Sequence, residues 1–155
     1  MATSTQNAEY FELTIGYWAR VIVAGLVAGV LMGLVMHHVM GTIQAVGALY
    51  GREATSFGWA FHLWHAVVFA LVFGGAFVWK PLSGFRDQVL SSTTLGIAWA
   101  TILWLGAAGV VMPLWLGTVT PIDHPVPNLD PWSGLGHVLY GAVLGGLSAA
   151  LQKLG

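Results

Sequence analysis

The chain contains no cysteine. That absence excludes disulfides, cysteine-held iron–sulfur clusters, covalently attached c-type haem and thiolate copper centres. Charge is nearly as scarce: five Lys plus Arg and six Asp plus Glu make up 7% of 155 residues and leave a net charge of −1. Nothing in that balance, and no basic stripe, would attract nucleic acid. The carboxylates Glu9, Glu12, Glu53, Asp87, Asp123 and Asp130 all fall outside the long apolar runs, which argues against a proton or sodium pathway built on a membrane carboxylate. Lysine occurs only at Lys80 and Lys153, at the ends of such runs, where a retinal Schiff base has no place. There is no glycine-rich phosphate loop after a strand, no HExxH motif and no nucleophile elbow. A nucleotide-dependent kinase or pump is thereby excluded, and Ser-His-Asp hydrolysis has no support.

Apolar residues are abundant instead: 57% of the chain is hydrophobic and the mean hydropathy is +0.78. That composition defines an integral membrane protein. Crossing a hydrocarbon core of roughly 30 Å takes about 20 helical residues, and four stretches are long enough, at about 18–40, 57–79, 89–116 and 132–153. The expected fold is an all-α membrane protein, a compact bundle of four transmembrane helices forming one domain over residues 1–155. The first stretch lacks a convincing small-residue cleavage site and reads as a retained helix. Lys80 and Arg86 flank the second-to-third connection, while Arg20 and Lys153 mark the two terminal ends, so both termini are expected on the cytoplasmic side of the cell membrane.

The connection after the first span, GTIQAVGALYGREATS, is too apolar for a solvated loop and too short to span, which suits a helical extension or an interfacial segment. The connection after the third, GTVTPIDHPVPNLDP, holds Pro121, Pro125, Pro127 and Pro131, and Asp130-Pro131 reads as an N-cap followed by the first helical residue. Pro113 should bend or end the third helix and free a carbonyl near residue 109, which could face the histidines. Trp18, Trp79, Trp115 and Trp132 suit interfacial belts.

All six histidines fall toward one end of the bundle, the outer end by the charge assignment. GWAFHLWHAVVFALVFGG in the second span aligns with SGLGHVLYGAVLGGLSAA in the fourth, matching His62 to His137 and His65 to Tyr140. The chain then reads as two pseudo-repeated helix hairpins, with His62 facing His137 across the bundle axis. Small residues recur every four positions on the same faces: Gly25, Gly29 and Gly33 leading to His37; Gly58, His62, Ala66, Ala70 and Gly74; His137, Gly141, Gly145 and Ala149. In lipid such seams let helix backbones approach closely, so His37, His62 and His137 belong to packing faces. His65 shares the face of His62, His38 is turned about 100° from His37, and His124 sits in the proline-rich loop.

Two chemistries suit this layer. Neutral imidazole ligates haem iron, zinc and copper, and ionisable groups inside a membrane are costly enough to imply use. His62 and His137 could be axial ligands of a b-type haem, with Trp59, Phe61 or Trp64 packing on the macrocycle. Alternatively His37, His62, His65 and His137 could bind a zinc or copper ion, with Met36, Met40 and Met112 lending thioethers to Cu(I). Either would serve electron transfer or metal handling rather than a catalytic reaction. The bland reading is that the histidines only hydrogen-bond neighbouring helices, with Tyr140 or Thr55 as partners, in an accessory or scaffold subunit of a homo-oligomer or larger membrane complex. An aromatic-lined pocket for a small solute or pigment is a third possibility.

Gly58-Trp59 followed by His62, Val111-Met112-Pro113 followed by Gly117, and Gly136-His137-Val138-Leu139-Tyr140-Gly141 leading to Leu144-Gly145 resemble the DUF6789-type proteins. These are small four-helix membrane proteins of uncharacterised function, found also in haloarchaea. The resemblance covers the second to fourth spans. It implies the four-helix topology and a role for His62 and His137, and it supplies no reaction.

Overall fold

A computed structural model describes residues 3–121 and 124–154, with side chains from residue 15 onward, so Asp123 and the side chains of Glu9 and Glu12 lie outside the described residues. The architecture is all-α. In chain order the helices are α1 (Thr3–Leu34), α2 (Ile43–Ala48), α3 (Thr55–Ala76), α4 (Val89–Leu103), α5 (Met112–Val119) and α6 (Pro131–Gln152). α1 runs on through a wide π-helical turn at Val35–Val39, and α4 runs into α5 through another at Trp104–Val111. Four segments are long and apolar enough to cross a membrane: Ile15–Val39, Thr55–Ala76, Val89–Val119 and Pro131–Gln152. These match the four stretches expected from hydropathy.

The packing order is α3, α1, α6, α4, with α2 laid on α3. Consecutive spans pair as two hairpins, α1 with α3 and α4 with α6, and the hairpins meet along α1 and α6. Small residues make both seams possible. On α1, Gly25 and Gly29 lie against Ala70 and Ala66 of α3, and Gly33 lies against Trp59 and His62. On α4, Ser92, Gly96 and Ala100 take the same four-residue steps, Ser92 against Gly145 and Gly96 and Ala100 against Gly141 of α6. Read in register, Gly25, Gly29 and Gly33 correspond to Ser92, Gly96 and Ala100, and Ala70, Ala66 and His62 to Gly145, Gly141 and His137. Each hairpin then repeats one plan: a seam helix, a π-helical turn, a short helix and a returning helix.

The connections explain themselves locally. α2 is neither solvated nor splayed on a surface: Ile43, Val46, Gly47 and Ala48 are buried, and Gly58 of α3 admits the Ile43 backbone where any side chain would collide. Pro113, lacking an N–H, frees the carbonyl of Gly109. That oxygen does not face the histidines; it accepts the Asn128 N–H at 2.8 Å and so ties the proline-rich loop to the third span. Asp130 caps α6 as expected, its carboxylate accepting the Ser133 N–H at 2.8 Å. At the opposite end from the histidines, the Tyr17 hydroxyl donates to the Gly74 carbonyl at 2.7 Å and Arg20 donates to Gln152 at 3.1 Å, fastening α1 to α3 and α6.

Candidate functional site

Where the two hairpins meet, on the α2/α5 side, the returning helices α3 and α6 diverge around a cavity of about 180 Å³. α3 contributes His62, His65, Ala66 and Phe69, a strict i, i+3, i+4, i+7 stripe, and α6 contributes Ser133, His137 and Tyr140 at i, i+4, i+7. Met32 and Met36 close it from α1, Val46 and Leu49 from α2, and Leu103, Ala107, Ala108, Val111, Met112 and Trp115 from the third span. The floor is a single crossing bond, the Tyr140 hydroxyl donating to the Ala66 carbonyl at 2.6 Å.

Three of the candidate histidines line this cavity, and their hydrogen bonds make them unequal. His62 is buried, with Nε2 2.9 Å from the Gly29 carbonyl on α1. A carbonyl only accepts, so Nε2 carries the proton and is committed to holding α3 on α1. His137 has the reverse arrangement. Its Nδ1 lies 2.8 Å from the Ser133 carbonyl one turn earlier, so Nδ1 carries the proton and, in the neutral ring, Nε2 keeps its lone pair without a partner among the described residues. An N–H donated to a backbone carbonyl, with the other nitrogen free, is the orientation that metal-ligating imidazoles adopt; His62 meets it too through Nδ1, and the difference is that its bond crosses to α1 while that of His137 stays within α6. His65 is paired through Nε2 with the Tyr50 hydroxyl at 2.7 Å. Burial raises Tyr50 above the usual phenol range, so it stays protonated and able to donate.

His37 is set apart. It does not line the cavity; its ring lies 4.5 Å from that of His38 and 6.1 Å from that of Trp59, and its Nδ1 is buried without a partner. Among the described residues no three His, Asp or Glu side chains stand close enough together to hold a metal ion, so His37, His62, His65 and His137 do not form one ligand shell. The reason is local: at the π-helical turn Val35–Val39, His37 packs toward Trp59 and His38 and not into the cavity. His38 is exposed, and His124 lines a separate depression with Gln44 and Glu53.

The aromatic residues expected around a macrocycle are also elsewhere. Trp59 packs on Gly33, Phe61 stacks on Tyr50 at 4.0 Å, and Trp64 is 56% exposed. Phe69 and Trp115 take their place in the wall. Phe69 was legible in the spacing, because it completes the i+7 step of the His62 stripe. Ser133 and Tyr140 follow from His137 in the same way. On α5, Met112 was anticipated as a thioether, whereas Trp115, expected in an interfacial belt, was hidden, since its place depends on how far the π-helical turn rotates the chain before α5.

Fold and cavity together define a four-helix membrane bundle built of two like hairpins around a histidine-lined pocket. No family model, no curated protein and no solved structure matches the chain.

Proposed function

We propose that the protein holds a prosthetic group or metal in this cavity, b-type haem first, with His137 Nε2 as the ligating atom. The single observation that carries the reading is the His137 tautomer: Nδ1 spent on Ser133, Nε2 free at an apolar pocket. The pocket's size supports a molecule over a bare ion: a cavity of about 150 Å³ takes one benzene ring and this one offers about 180 Å³, so a macrocycle would seat one edge there and extend outward between the helices. Ala66, Ala107 and Ala108 leave room for a flat ring, and Phe69, Trp115 and Met112 give it apolar walls. Bound haem would supply one-electron redox chemistry. The chain's own residues orient it, exclude water and hold the His137 proton away from the ligating nitrogen. A copper ion is the lesser version, supported by Met32, Met36 and Met112, which line the same cavity as His137. The charge asymmetry supports a cell-membrane orientation with both termini cytoplasmic and the site in the outer half.

A second reading has its own support. His62 to Gly29, Tyr140 to Ala66, Trp99 to Phe69 and Tyr17 to Gly74 are all bonds that fasten one helix to another's backbone. A scaffold subunit of a larger membrane complex would use its polar groups this way. The visible spectrum of purified protein titrated with haemin, oxidised and reduced, separates the two. The haem reading expects a Soret band that His137→Ala abolishes and His62→Ala retains; absence of any band in wild type, with metal analysis also negative, leaves the scaffold.

A further inference from the structure

We infer that the cavity opens sideways into the bilayer, between α3 and the α4–α5 helix, and that its occupant is a flat, lipid-soluble ring compound that slides in edge-on. This rests on the cavity being a ligand site, not on the ligand being haem.

The opening follows from which helices touch. α3 is held by α1 and α2, α4 by α6, and no comparable packing joins α3 to α4 or α5. One bond crosses low in that gap, Trp99 Nε1–H to the Phe69 carbonyl at 3.2 Å, and one ring contact crosses high, Tyr50 to Trp115 at 5.3 Å. Between these two struts the edges are His65 and Phe69 on one side and Ala108 and Val111 on the other. All four line the cavity and none is buried, Val111 being 54% exposed. The lining from the opposite side is closed: Met32, Met36, Ala66, His137 and Tyr140 are buried. The pocket is thus a slot closed toward α1 and open, at its mouth, toward the gap between α3 and the third span.

The mouth lies within Thr55–Ala76 and Val89–Val119, two segments that cross the membrane, so hydrocarbon and not water stands before it. The slot's shape selects the guest. The His65 and Phe69 rings lie near-parallel in the lining, 6.1 Å apart with 24° between planes, and the small Ala108 lines the same cavity from the third span. His137 Nε2 waits at the closed end. A compound with a polar or metal-bearing centre and an apolar edge satisfies both ends, which a polar solute does not.

Because the chain lacks cysteine, single spin labels test this cleanly in phosphatidylcholine vesicles. Labels are placed at Ala108→Cys in the mouth, at Leu135→Cys on the exposed face of α6 and at Ala28→Cys in the core. The label at position 108 is expected to collide with oxygen as freely as that at 135 and to be shielded from an aqueous nickel chelate, whereas the core label meets neither. Adding haemin in one arm and decylubiquinone in another, at least one compound should cut oxygen access at 108 and leave 135 unchanged. Ala108→Trp should slow uptake of that compound by about tenfold. Protection by the quinone alone removes the haem reading and keeps the slot. Protection by haemin that Ala108→Trp does not slow removes the slot and keeps the haem reading. Nickel access exceeding oxygen access at 108, or protection by neither compound, overturns the inference.

Discussion

The first hairpin and the second are built to one plan and close their seams with different atoms. In the first, glycines of α1 meet side-chain methyls, Gly25 against Ala70 and Gly29 against Ala66. In the second, backbone meets backbone: Gly96 lies on the carbonyl of Gly141, and Gly145 on that of Ser92. The looser seam needs a polar clamp, and His62 supplies it by donating to Gly29. The tighter seam needs none, so the matching histidine, His137, turns its proton back onto its own helix. One of the two matched histidines clamps a neighbouring helix and the other bonds within its own, and under the proposed function it is this second one that binds.

The sharpest way to break this comparison is to exchange the roles. His137→Ala should abolish haemin binding outright, as read from the Soret band. His62→Ala should leave the band in place and lower the melting temperature by the loss of one interhelical hydrogen bond, about 0.6–1.7 kcal/mol. A protein in which both substitutions remove the band equally would restore the symmetric pair expected from the repeat alone.

Next in size are the seams. A methyl added at Gly96 strikes a carbonyl that cannot move, while a methyl added at Gly29 strikes the Ala66 methyl. Overpacking of either kind costs about 1–3 kcal/mol, and the Gly96→Ala loss should lie at the upper end. The cleaner test is compensation. Gly29→Ala combined with Ala66→Gly moves one methyl across the seam and should recover most of the lost thermal stability in detergent. Gly96→Ala has no such partner, because Gly141 is already glycine; full rescue of Gly96→Ala by any substitution on α6 would contradict the backbone-to-backbone seam.

Much of this arrangement was legible in the sequence, and the illegible part has a physical cause. The four spans, the Asp130 cap and the carbonyl freed by Pro113 follow from hydropathy and backbone chemistry, which depend on few neighbours. The repeat could be read from His62 and His137 together with the small residues one and two turns below each. What could not be read was hydrogen bonding. Nothing in the spelling of His62 and His137 says that one donates from Nε2 to another helix and the other from Nδ1 to its own. That choice depends on how near each seam brings the facing carbonyl, a matter of fractions of an ångström. Grouping His37 with the others failed for a related reason: a π-helical turn adds an extra residue per turn and rotates every side chain beyond it.

The caps sharpen the comparison at a smaller scale. α6 begins with a side-chain cap from Asp130, whereas α3 begins at Ala54 with none. Asp130→Ala should cost about 1 kcal/mol and fray the first turn of α6, which carries Ser133 and, one turn on, His137. Its signature is a weakened haemin affinity along with the lower melting temperature. Ala54→Asp offers the missing cap to α3 and should raise stability by about as much without altering affinity, since His62 holds its place through Gly29.

The smallest expected effect comes from the matched positions His65 and Tyr140. Both sit one turn beyond a cavity histidine, but Tyr140 reaches across to the Ala66 carbonyl on α3, and His65 reaches up to the Tyr50 hydroxyl beyond the membrane-spanning part of its own helix. Tyr140→Phe therefore removes a bond between the two hairpins, and Tyr50→Phe removes one within the first. Interhelical side-chain bonds in membrane bundles average about 0.6 kcal/mol, so both losses are small in a melt. Their separation shows instead in hydrogen exchange. Tyr140→Phe should speed exchange along the facing parts of α3 and α6 together, because the floor of the cavity joins them. Tyr50→Phe should speed it only in α2 and the first turns of α3. If Tyr140→Phe affected α6 alone, the floor bond would not be what couples the hairpins, and the contact of α1 with α6, together with the Trp99 bond to Phe69, would have to carry that coupling.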